Sequence, residues 1–118
     1  MRVLLDEDLD VRLRHHFGDD AQVVTVQHRG WKGRKNGELL RAAAEEFDLF
    51  VTGDDNLSFQ QNVAALELGV VALRPKSKAL PHLLELMPEG RRRLPHFQVG
   101  EMIRIHPPPT GSHGITER

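Results

Sequence analysis

The 118-residue chain contains no cysteine and no tyrosine, and it has a single tryptophan. Without cysteine there can be no disulfide and no thiolate metal site. That absence suits a reducing cytoplasm, the expected location. Charge of one sign is missing as well: 16 Lys and Arg face 17 Asp and Glu, a formal net charge of -1. No global field draws the protein to nucleic acid or a membrane, so the local placement of charge has to carry any such function. Long apolar runs are absent, and nothing approaches the ~20 residues of a membrane span. The opening apolar run, "VLL", is too short for a secretory signal. What remains is ordinary for a soluble globular protein: 39% hydrophobic and 28% charged residues, enough for one modest core.

Local patterns give an alternating series. "RVLL", "AQVVTV", "DLFVT", "VVAL" and "QVGEMIRIH" read as strands. "DLDVRLRHHF", "GELLRAAAEEF", "LSFQQNVAALEL" and "SKALPHLLELM" read as helices, the last with Pro81 near its first turn. "QHRGWKGRKNG" reads as a glycine-punctuated basic loop and "EGRRRLPHF" as a basic connector. A single domain is expected over residues 1–107, with a flexible tail at 108–118. Strands apolar on both faces, alternating with helices, predict a three-layer α/β/α sandwich with a mainly parallel central sheet.

In such a sheet, binding sites lie beyond the carboxyl ends of the strands. Asp6, Glu7 and Asp8 follow the first strand, and Asp54 and Asp55 follow the third. Glu38 opens the helix that leads into the third strand, so it starts near the same edge. Close carboxylates do not all ionise cheaply without a cation between them. Oxygen ligands with no cysteine and no paired histidine suit Mg²⁺ or Mn²⁺ better than zinc. The plainer alternative is that each acid caps a helix N-terminus; Asp10 fits that role best. Around Trp31, the cations Arg29, Lys32, Arg34 and Lys35 offer phosphate contacts and an indole on which a base can stack. Here too there is a plainer alternative, with Trp31 an apolar plug in a solvated loop. Arg91–Arg93 form a second basic run, and Gln60 and Gln61 are rim polar groups. The seven histidines show no ligand spacing.

The segments "MRVLLDEDLDVRL", "GWKGRKNGELLRAAAEEFDLFVTGDDNLSFQQN" and "VVAL" resemble the short bacterial PIN-like domain family, related to the PIN-domain toxins of toxin–antitoxin pairs. The resemblance is close over residues 1–75 and is carried by "LLDE-L", "NGELL" and "VT-D-NL" together. It implies a PIN-like fold and a Mg²⁺- or Mn²⁺-dependent endoribonuclease, with an antitoxin partner and a possible homodimer. Asp6, Glu38 and Asp54 match the family's catalytic and metal-binding acids, with Asn56 at its fourth acidic position. Glu7, Asp8, Asn36 and Asp55 take secondary places, and Trp31, Lys32, Arg34 and Lys35 the RNA contacts. Asn56 brings a carbonyl oxygen without charge, and Asn36 stands where some relatives carry an acid.

Three rival readings use the same acids. A catalytically weak PIN-like module would bind RNA or protein. A receiver-like phosphoacceptor domain would use Asp6, Glu7 and Asp54, but it needs a hydroxyl after the fourth strand and a lysine after the fifth. A haloacid-dehalogenase-like phosphatase would use Asp6 and Asp8, but it wants Thr or Val where Asp10 stands.

Overall fold

The computed structural model describes residues 1–34, 36–56 and 63–109. The fold is α/β with a five-stranded sheet in the order β2-β1-β3-β4-β5. The strands are β1 (Arg2–Leu5), β2 (Gln22–Thr25), β3 (Leu49–Thr52), β4 (Gly69–Leu73) and β5 (Met102–Ile105). All four pairings are parallel.

Parallel strands are buried on both faces, and side chains alternate between those faces. Val3, Leu5, Leu49, Val51, Val71, Leu73 and Ile105 enter one core with Leu9, Leu13, Leu83, Leu86 and Met87. Leu4, Phe50, Val70, Ala72 and Met102 enter the other with Val26, Trp31, Leu39, Leu40 and Phe47. The helical elements therefore cover both faces, giving three layers.

One layer holds a 3-10 helix (Val11–His16) and the helices α3 (Leu80–Leu84) and α4 (Met87–Arg93). The other holds α1 (Val26–Arg29) and α2 (Asn36–Glu46). From β1 the chain crosses one face to β2, then the opposite face to β3. The winding thus reverses at β1 and β3, which sets a crevice at their carboxyl ends. No helix among the described residues is long and apolar enough to cross a membrane.

Several elements depart from the sequence expectations. The first helix is a 3-10 helix beginning at Val11, because Asp10 sits in an extended conformation and caps it by accepting from the Arg12 N–H at 2.9 Å. The second strand stops at Thr25, whose hydroxyl oxygen accepts from the His28 N–H at 3.1 Å and starts α1 inside the expected loop. The basic connector is helical. Pro88, in the first turn of α4, lacks the N–H that would continue α3, so "SKALPHLLELM" divides and the second piece takes in Arg91–Arg93. Of the helix expected over residues 57–68, residues 57–62 lie outside the described residues; Val63 and Leu68 are buried. Of the expected tail, Pro108 and Pro109 are described, and with Arg93 and His106 they line a surface cavity of about 590 Å³.

Candidate functional site

The carboxyl edge of the sheet is built around β1 and β3. Leu5 pairs with Val51, so the next step sets Asp6 beside Thr52 on the face covered by α2. The Asp6 N–H closes the ladder on the Val51 carbonyl at 2.9 Å. Thr52 is fully buried and donates its hydroxyl to Asp6 Oδ2 at 2.6 Å. Its oxygen accepts the Asp54 N–H at 3.0 Å, while Asp6 Oδ1 accepts the Glu7 N–H at 2.7 Å. One threonine thus fixes the carboxylate of Asp6 and the backbone that presents Asp54.

Burial pushes the Asp6 carboxyl above its ordinary pKa, and the negative charges of Asp8 and Glu7 push the same way. The Thr52 and Glu7 hydrogen bonds pull against this without cancelling it. A half-buried carboxylate among like charges is a group that favours a cation or a proton.

The other acids are employed differently. Asp8 Oδ1 accepts the Gly53 N–H at 3.2 Å, and Asp8 Oδ2 pairs with Lys78 Nζ at 2.8 Å. Glu7 Oε1 accepts the Gly33 N–H at 2.9 Å, tying the loop after α1 to the end of β1. Gly33 needs its glycine, since its φ is 85°. Asp55 Oδ1 accepts from Arg104 Nε at 2.7 Å, with Arg74 Nε 3.8 Å from Asp55 Oδ2. Asp10 lies outside this group: the Arg12 side-chain and backbone bonds lower its pKa to about 2. Asp54 and Asn56 are exposed at the end of β3. Asn36 is the first residue of α2, and Lys35, Gln60 and Gln61 lie outside the described residues.

Glu38 does sit in the first turn of α2, at this edge. Its side chain is 63% exposed, with Arg34 Nε 3.8 Å away. Among the described residues no three His, Asp or Glu side chains are grouped to hold a metal ion. Asp6, Glu38 and Asp54 therefore do not make a closed three-carboxylate cage. The donor chemistry still fits a hard cation. Magnesium keeps several waters and takes one or two carboxylates, and Asp6 and Asp54 supply oxygen donors at adjacent strand ends.

Trp31 takes the plug role. It is 5% exposed and packs edge-on to Phe47, with ring centroids 6.2 Å apart. Arg29 and Arg34 lie 4.5 and 5.1 Å from its ring centre. Arg29 is further held by Glu46, its Nε donating at 3.1 Å to Oε1. Lys32 is exposed. Arg91 donates to the His16 carbonyl at 3.0 Å, and Arg92 Nε to Glu89 at 2.9 Å.

Sequence reasoning passed over Thr52 as a functional group, and also Arg74, Lys78 and Arg104. The signal for Thr52 was its position opposite Asp6 in register. The other three stand just past or near the ends of β4 and β5, the same edge as the acids. Arg74 Nη1 also donates to the Gly53 carbonyl at 3.2 Å.

No protein-family description, curated protein or solved structure matches the chain.

Proposed function

We propose that the chain is a Mg²⁺- or Mn²⁺-dependent endoribonuclease of PIN-like type, acting as the toxin of a toxin–antitoxin pair in the cytoplasm, with RNA as substrate and an antitoxin protein as partner. The observation that carries this reading is the Asp6–Thr52–Asp54 arrangement: a half-buried carboxylate fixed by the same threonine that holds the backbone of Asp54, at the reversal point of a parallel sheet. The motifs shared with PIN-like proteins point the same way.

Asp6 and Asp54 would hold the cation, with the Asn56 carbonyl as a neutral donor and Glu38 at the rim. When bound, such a cation supplies charge for the phosphate oxygens and lowers the pKa of a coordinated water. The chain's own groups do the positioning. Thr52 and the Glu7 N–H hold both Asp6 oxygens, so the carboxylate needs no reorganisation. Burial and the neighbouring charges of Asp8 and Glu7 raise the pKa of Asp6, so a cation there would relieve a real cost. Asp8 is withdrawn from this role by Gly53 and Lys78.

The test compares wild type, Asp6→Asn and Asp54→Asn on labelled RNA with Mg²⁺, Mn²⁺ or chelator. Cation-dependent cleavage by the wild type should fall at least about 100-fold in either variant, as expected for loss of a group acting at the reacting centre. Equal cleavage in all three proteins sinks the reading. The same Asp6→Asn protein has a second readout. The folded state holds the Asp6 proton to higher pH than the unfolded chain does, so its contribution to stability is present at low pH and lost as pH rises through the raised value. The variant should therefore gain on wild type in melting temperature as pH rises from the ordinary carboxylate range.

A second reading has its own support. The open arrangement of the acids and the amide at Asn56 favour a catalytically weak RNA- or protein-binding module, which would bind RNA without cutting it. The strand order also belongs to receiver-like sheets, but β4 runs into Arg74 and β5 into His106, without the hydroxyl or the lysine a phosphoacceptor needs.

A further inference from the structure

The sheet edge is divided by charge. The ends of β1 and β3 carry Asp6 and Asp54, whereas the ends of β4 and β5 and the segment after β4 carry Arg74, Lys76, Lys78 and Arg104. Among the described residues, two carboxylates face these four cations in ion pairs, Asp8 and Asp55. Asp55 is shared by two guanidiniums, so its one charge neutralises at most one of them. Lys78 bonds Asp8 through one N–H of the three an ammonium carries, and its side chain is 51% exposed. Lys76 is exposed. The positive surplus therefore lies against the acidic crevice and reaches it directly, since Lys78 touches Asp8 and Arg74 touches the Gly53 carbonyl.

In the loop that sequence reasoning assigned to RNA, the two guanidiniums are engaged within the fold, while Lys32 is exposed. Arg29 and Arg34 cover Trp31, and they face Glu46 and Glu38.

We propose that Arg74, Lys76, Lys78 and Arg104 form the phosphate-binding flank of the site, so that single-stranded RNA enters across the ends of β4 and β5. This assignment rests on the RNA-directed reading above. A phosphodiester backbone needs cations in a row beside the reacting centre, and these side chains provide that row. Arg74 and Arg104 are positioned by Asp55, and Lys78 is positioned by Asp8. Lys78 stands nearest the acids and would contact the phosphate adjoining the scissile bond.

Binding can be measured apart from cleavage by fluorescence anisotropy with a labelled oligouridylate, in EDTA, over a salt series. The pair Lys76→Gln/Lys78→Gln should weaken binding about 10-fold and lower the salt slope by ~1.4, because each single-strand phosphate contact contributes ~0.7. The charge-matched pair Lys32→Gln/Lys35→Gln should change binding far less. Lys76→Arg/Lys78→Arg should restore both affinity and slope, which a merely structural role would not require. Thermal melts establish that each variant is folded. If the Lys76/Lys78 variant binds as wild type does, or the Lys32/Lys35 variant loses as much, the flank is wrong while the function above survives. A wild type that binds no RNA overturns both. Flank-dependent binding without cleavage keeps the flank and removes the nuclease.

Discussion

The loop around Trp31 and the ends of β4 and β5 both bring cations to the carboxyl edge of the sheet, but they use them differently. Around Trp31 the guanidiniums are laid over an indole and paired with glutamates, and the indole itself is buried. At β4 and β5 two guanidiniums compete for the single carboxylate of Asp55, and an exposed ammonium borders the acids. Composition treats the two stretches as equals. The difference lies in what the aromatic ring demands: an indole seals a core and draws cations onto its faces, so Arg29 and Arg34 lie against it. Where no ring is present, the cations share fewer carboxylates than their own number.

The hardest blow to this contrast is Trp31→Ala. Removing the plug from the core shared with Leu39, Leu40 and Phe47 should cost about 3–5 kcal/mol, a large fraction of the stability of a small domain. Denaturant unfolding would show it, and a variant that melts like wild type would mean the indole is not structural. Asp55→Asn acts on the other region. It frees both arginines from a shared countercharge, so RNA should bind several-fold tighter at low salt, with the gain vanishing at high salt. Weaker binding would mean that Asp55 matters more as a positioner than as a countercharge. Arg29→Met should do least. Its pair with Glu46 is at the surface, so melting temperature and RNA affinity should both stay close to wild type. A marked loss of affinity there would move the binding face back to the Trp31 loop.

These contrasts bear on what could be read before the structure. The sheet was legible because residues such as Val3, Leu4 and Leu5 are apolar without alternation, the mark of a strand buried on both faces. The parallel architecture followed, and with it the edge where Asp6 and Asp54 lie. The short helices were harder. Asp10 and Thr25 each start one by a side-chain bond that periodicity does not register. Glu38 was placed correctly on its helix turn, but the direction of its side chain depends on Arg34 and solvent. Lys78 was invisible for a different reason: its partner is 70 residues away in the chain.

That separation has a consequence for the order in which the protein is made. Asp8 meets Gly53 across 45 residues and Lys78 across 70, and a β-carbon on Gly53 would stand 3.0 Å from Asp8, Leu9 and Lys78 atoms alike. Three distant segments must close on one small spot before either half of the edge faces the other. A ribosome releases the N-terminal acids first, long before β4 and the lysines behind it emerge. The nascent chain carries Asp8 without its lysine partner, and the two are united only after the segment behind β4 has emerged.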